Sequence, residues 1–528
     1  MWRWVLLSVG VGTIGVLGFL WTNRSRAEGS PAGASSHTAD FSHQIDQRLA
    51  DRWREKEISP APLSSDSEFF RRLHLDLTGN LPSVTETRRF LADSEPDKRL
   101  RAIDRLLDSP LFATHLAVLW RNRLLSRSTE LSDIENAIGL EIWLREQFRQ
   151  NLRYDNLVAE FLVAQGDGQS GPALYYTALE LQPEKLAASS ARIFLGIQME
   201  CAECHDHPFD HWTQRDFWSY AAFFAQLEQP RDPQFMGMIR VRDRSEGEVR
   251  LPESDEVVPP RFPGGMEVPE AEYGTRRSQL AIWLASRDNP YLARAAVNGV
   301  WAQLFGRGLV HPVDDHGPRN PPSHPELLDE LADYFTEADF DLQALYRVLL
   351  QTEAYQRSSE VPAGDEEPPP ELFARMQPKT LAAEQLYNCF QKGVGFMEDP
   401  NLGIGRTSHP LRDPQRLAFL SRMPLGVDAP DDYRPGLPQA LLLMNGPTMT
   451  AMTDVAHSRL LQAISAPIFS MDEGLDILLL ATLCRFPTDI ERARWTSYLK
   501  SLPSDQQLDG MGDVLWAILN SSEFLLNH

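Results

Sequence analysis

The sequence predicts a mainly α-helical protein of two helical domains, joined by an irregular linker with room for a β-hairpin and preceded by an N-terminal membrane helix. Three observations carry this expectation. Apolar residues recur every third or fourth position over most of the chain. Serine or threonine stands three positions before an acidic residue at several helix starts. Alternation at period two is confined to short stretches between residues 229 and 272. A chain of 528 residues is too long for one ordinary core. With 42% hydrophobic and 24% charged residues, it has the composition of a globular protein. A net charge of −23 repels phosphate backbones and argues against nucleic acid as a partner. Four cysteines in such a length do not make a disulfide scaffold.

Trp4 to Trp21 is an uncharged apolar run flanked by Arg3, Arg24 and Arg26. Its length, about eighteen residues, is enough to cross a bilayer and long for a signal-peptide core. Residues 1–26 are therefore expected to be a membrane anchor or signal segment. Basic residues on both sides leave its orientation open. Small residues around Ala27 and Ala34 leave cleavage open as well. The rest of the chain is expected on the periplasmic side of the inner membrane, anchored or released. Residues 27–39, rich in Ser, Ala, Gly and Pro, read as a flexible tether.

Residues 40–228 form the first helical domain. Phe41, Ile45, Leu49 and Trp53 lie on one helix face. Asp66 to Leu77 is a helix ended by Thr78-Gly79-Asn80, and Ser83 with Glu86 predicts a capping box for the next. Helices follow over Asp97 to Leu107, Pro110 to Ser126, Asp133 to Leu152 and Asp155 to Gln165. Gly166 to Gly171 is a turn without phosphate-binding spacing. Pro183 suits the first turn of a helix reaching Met199. Thr213 and Asp216 predict a further capping box, ahead of Phe217, Tyr220, Phe223, Phe224 and Leu227. Residues 229–272 mix prolines, glycines and charges, with alternation at Met238 to Val241, and read as the linker. Residues 273–528 form the second helical domain. Its helices are expected at Arg276 to Ser286, Pro290 to Phe305, Pro325 to Thr336 and Leu342 to Thr352, then at Leu437 to Met444, Thr448 to Leu461, Gly474 to Cys484, Asp489 to Leu502 and Gly512 to Ser521. Ser323 and Glu326 have the spacing of another capping box.

Chemistry concentrates in Ile197 to Trp212, IQMECAECHDHPFDHW, which holds two of the four cysteines and three of the thirteen histidines. Cys201, Cys204 and His205 form C-x-x-C-H, the pattern of covalent haem c attachment. Two thiols three residues apart can each reach one porphyrin edge, and the next imidazole can bind the iron. His207 is too near His205 to reach the opposite face of the ring. Rival readings remain open. Cys201 and Cys204 with two of His205, His207 and His211 make a Cys2His2 zinc set. Asp206 and Asp210 would then support the ligands from behind. The thiols could also be a redox dithiol or a disulfide, or the histidines hydrogen-bonded groups of a compact turn. A second constellation is Asp314, Asp315, His316, His324 and Glu326. It could gather a metal or an acid–base pair, but it reads chiefly as a turn and a helix start. There is no G-x-S-x-G, H-E-x-x-H or Walker motif.

Several strings resemble a known family. Phe69 to Gly79 (FFRRLHLDLTG), Asp97-Lys98-Arg99 and Arg192 to Asp210 are similar to the second planctomycete cytochrome C domain. Asn289-Pro290-Tyr291, Leu304 to Val310 (LFGRGLV), Pro312 to Asp315, Asn320 to Leu328, Ala354-Tyr355-Gln356 with Ser358-Ser359, and Leu519 to Phe524 are similar to its companion, the first planctomycete-specific domain. Both are domains of unknown function, and the cytochrome label rests on C-x-x-C-H. The resemblance implies export and, through related chains, a carbohydrate-related partner. This chain departs from the pattern at Gly299, where an arginine is usual, and at His316, where an aromatic is common. The sequence thus points to an exported or membrane-anchored haem c protein acting in electron transfer beside a redox partner protein or cytochrome. The alternatives are a zinc hydrolase and a structural metal-binding scaffold.

Overall fold

The computed structural model describes residues 31–125, 134–228, 240–254, 256–268, 274–361, 366–395, 409–423 and 437–528. The helix Asp66–Thr78 lies at the centre. Ser65 caps its start by accepting the Glu68 N–H, and Gly79 ends it in the left-handed region at φ 62°. Everything from Phe69 to Thr78 is buried, including Arg71, Arg72, His74 and Asp76. A helix buried on all sides needs partners for its charges. Arg72 donates to Tyr355 O at 2.6 Å and to Glu68 at 2.7 Å, and Lys379 Nζ meets Asp76 at 2.7 Å.

Around it pack Pro31–Glu55, which lays Ile45, Leu49 and Trp53 inward, and the pair Pro110–Leu125 and Ile134–Arg149. The second half adds Arg276–Leu284, Leu292–Phe305, Pro325–Glu337 and Leu342–Gln351. Their apolar faces join those of the first half in one continuous core running from Ile45 to Leu411. A second core gathers Ala383–Gly393, Met471–Thr482 and Gln507–Leu519, and takes in Leu75 and Leu81 from the central helix and the turn after it. The apolar interior therefore does not part at residues 229–272. Within the described residues it divides near residue 380.

The protein is mainly helical, as expected. Strands are limited to three antiparallel pairs of two residues each among the described residues. Val249–Arg250 pairs with Val257–Val258, which is a hairpin inside 229–272. Arg240–Val241 instead pairs back with Gly166–Asp167.

Corrections fall at the edges. The expected tether is helical from residue 31 onward, because it continues the amphipathic helix behind it. The expected helix to Met199 stops at Leu195. The expected helix Thr448 to Leu461 is two, Pro447–Met452 and Arg459–Ile464. The run Trp4 to Trp21 lies outside the described residues. Among those described, no helix is long and apolar enough to cross a membrane.

Candidate functional site

The helix Pro183–Ser190 runs into a wider turn, Ala191–Leu195, and ends at Gly196 with φ 68°. Ile197 and Met199 are buried and pin the chain against the core. The short turn Glu200–Glu203 then buries Ala202 and leaves Cys201 and Cys204 exposed, both as free thiols. His205 is exposed too, and its Nδ1 lies 2.9 Å from Asp206 O. A carbonyl only accepts, so this contact places a proton on Nδ1 and leaves Nε2 on the side away from Asp206 O. Metal-binding histidines are commonly held in this way, by a hydrogen bond from the nitrogen that faces away from the metal.

The helix Gln214–Ala221 clamps the turn from behind. Thr213 and Asp216 form its capping box, as the spacing predicts. Gln214 donates to Cys204 O at 2.8 Å, and the Trp218 indole donates to Glu203 O at 3.0 Å. The remaining polar side chains of the segment are spent locally. Asp206 accepts from Gln214 N at 2.8 Å. His207 Nδ1 accepts from Phe209 N at 3.3 Å. Asp210 Oδ1 lies 2.6 Å from both the backbone N and the Nδ1 of His211. Among the described residues, no three His, Cys, Asp or Glu side chains converge as a metal-holding group. Cys201, Cys204, His205, His207 and His211 are thus not gathered as a Cys2His2 set.

The second constellation divides. His324 occupies the cap position of Pro325–Glu337, and its ring faces Phe373 at 5.7 Å. Burial holds its imidazole down at about 4. Glu326 is exposed in the first turn of that helix. The expected Ser323–Glu326 capping box is absent, because the Ser323 hydroxyl donates to Leu309 O at 3.2 Å and Pro325 shifts the cap to His324.

Asp314, Asp315 and His316 instead reach the C-x-x-C-H segment. The His316 N–H donates to Gly196 O at 2.7 Å, and its ring lies where a Gly196 Cβ would stand 3.0 Å from Cδ2. Asp314 Oδ1 accepts from Gln198 Nε2 at 2.9 Å. Asp314 Oδ2 is 3.1 Å from Arg192 Nε, and the same nitrogen is 3.1 Å from Glu200 Oε1. Beyond the cysteines, a Cβ on Gly317 would stand 2.6 Å from Asp210 Oδ2, and the Arg319 guanidinium lies over the Phe209 ring at 4.3 Å. Asp315 accepts from Asn320 Nδ2 at 2.7 Å. Burial raises the Asp315 carboxyl above its ordinary value, and Asp314 and Asp210 add to the rise. Gly299, lacking a side chain, leaves room for Arg123, whose Nη1 lies 3.2 Å from where its Cβ would be. Sequence reasoning missed Arg192 and Gln198 as partners of Asp314, and Glu200 as the second carboxylate on Arg192. The one local hint was a glycine immediately before the motif.

Residues 44–229 match the family PSCyt2, described as a protein of unknown function (DUF1549). Residues 276–404 match PSD1, also described as a protein of unknown function (DUF1553). No curated protein and no solved structure matches the chain.

Proposed function

We propose that this chain, which belongs to the PSCyt2 family over residues 44–229 and to PSD1 over residues 276–404, is an exported c-type haem protein with an electron-transfer or redox-accessory role. The observation that carries the reading is the pairing of two exposed free thiols, Cys201 and Cys204, with a His205 whose Nδ1 is engaged by Asp206 O at 2.9 Å. Cys201 and Cys204 would hold the porphyrin edge and His205 Nε2 the iron. When bound, the haem supplies a one-electron iron centre. Buried Ala202 fixes the two cysteines outward. Gln214 and Trp218 hold the carbonyls behind them, so the thiols keep one spacing. Exposed Phe209, 62% accessible, offers an apolar surface beside them. The run Trp4 to Trp21 supports export and a place on the periplasmic side of the inner membrane. A redox protein or cytochrome is the partner this role requires.

The test is expression of the exported chain with a cytochrome maturation system, followed by a denaturing gel stained for peroxidase activity and by mass measurement. Wild type should retain haem after denaturation, and the Cys201→Ser, Cys204→Ser double variant should lose it. A colourless wild type carrying one zinc per chain would overturn the reading in favour of a metal site.

A further inference from the structure

Resting on the haem reading of the C-x-x-C-H segment, we propose that Asp314 is a positioning residue, through which the loop 311–320 of the second half sets where Cys201, Cys204 and His205 stand. From the first half the segment is held by buried Ile197, Met199 and Ala202 and, behind the turn, by Gln214 and Trp218. Its turn Glu200–Glu203 has no side-chain cap, and the helix before it ends at Gly196. Asp314 adds a hold from the second half, on both sides of Met199. It accepts from Gln198 at 2.9 Å. It also shares Arg192 with Glu200, the residue directly before Cys201, each carboxylate lying 3.1 Å from the same nitrogen.

These three charged groups are only 20% to 30% exposed, so solvent screens them incompletely. Removing Asp314 leaves Gln198 without its acceptor and Arg192 with Glu200 alone. The same loop also passes close to the far flank of the motif, with Gly317 packed too near Asp210 to carry a Cβ and Arg319 over the Phe209 ring. The second half therefore contacts the thiol-bearing segment at both ends, with its polar bonds at the Gln198 and Arg192 end. One site is built from two sequence families, since the thiols lie in residues 44–229 and the grip in residues 276–404.

The test uses the full chain made without cytochrome maturation, so that it reads the contact whether or not haem is bound. Amide hydrogen exchange is followed at residues 197–205 and in the helix Asp66–Thr78. Asp314→Ala should speed exchange at 197–205 by about ten-fold, the loss of one charge-assisted hydrogen bond, while the central helix keeps its wild-type rate. Asp314→Asn keeps an acceptor for Gln198 without the charge for Arg192. It should fall between the two, and it serves as the variant to read if the alanine form does not fold. His324→Ala, in the same stretch of chain but facing Phe373, should leave exchange at 197–205 unchanged. Wild-type exchange at 197–205 in both Asp314 variants, or an equal rise throughout the molecule, would overturn the proposal. Failure of the haem reading is seen separately, as a wild-type chain without retained haem.

Discussion

His115 lies so close under Gly79 that a Cβ there would stand 2.6 Å from its Nδ1. Burial holds its imidazole down at about 4. His74, whose ring meets Phe70 edge-on at 4.6 Å, is held by burial at about 3. Both are neutral in the folded protein at neutral pH, whereas an unfolded histidine takes up a proton near pH 6.5. As pH falls, the unfolded chain binds these protons first. Stability is therefore lost from about pH 6.5 down through the folded values, on the order of 3 kcal/mol for His115. His115→Gln should shrink the drop in Tm between about pH 7 and about pH 4.5, and an unchanged drop would refute the assignment. At this scale the exposed candidate residues Cys201, Cys204 and His205 stand out in the sequence because they fall within five adjacent positions as C-x-x-C-H. The contact of Asp314 with Gln198 does not, because it joins positions 116 residues apart and no local pattern encodes it.

The helix Gln214–Ala221 begins at a complete capping box and also holds the carbonyls of Glu203 and Cys204. Thr213→Ala should cost about 1 kcal/mol in urea melts. Because the clamp loosens with the cap, Cys204 should also be alkylated faster than in wild type. A loss of stability with no change in alkylation would separate the cap from the clamp. Helices with such local signals were legible, among them Asp66–Thr78 and Val84–Ala92 with its Ser83–Glu86 box. Spacing alone misled at Ser323, whose hydroxyl is claimed by Leu309 from 14 residues away. It misled again across 448–461, where Asp454 binds the Ala456 N–H at 2.7 Å and Ser458 starts a new helix. Ala383–Gly393 and Pro414–Arg422 were not foreseen. The first buries a carboxylate, Glu384, whose partner Arg121 lies 263 residues earlier.

Across the whole molecule the two halves share their interior. Arg121 joins Glu384 at 2.6 Å and also pairs with Glu141, which lies 3.2 Å from His409. Burial alone would lower the Arg121 affinity for its proton, and the two carboxylates more than reverse this. A chain cut after residue 272 strands both Arg121 and the apolar faces that meet the second half. Residues 1–272 alone should therefore bind a hydrophobic dye and lack a cooperative melt, while the full chain melts cooperatively. A sharp, dye-free transition in the fragment would show that the first half is self-sufficient. The central helix sets a further condition. Arg71 and Arg72 donate to the carbonyls of Phe524, Leu526 and His528, which lie 453, 455 and 456 residues along the chain from them. During synthesis these two cations wait for acceptors that do not yet exist, and contacts of such range form slowly. A nascent chain must then be shielded from aggregation over most of its length. Its yield in a foreign host should depend on chaperone capacity as much as on the stability of the finished fold.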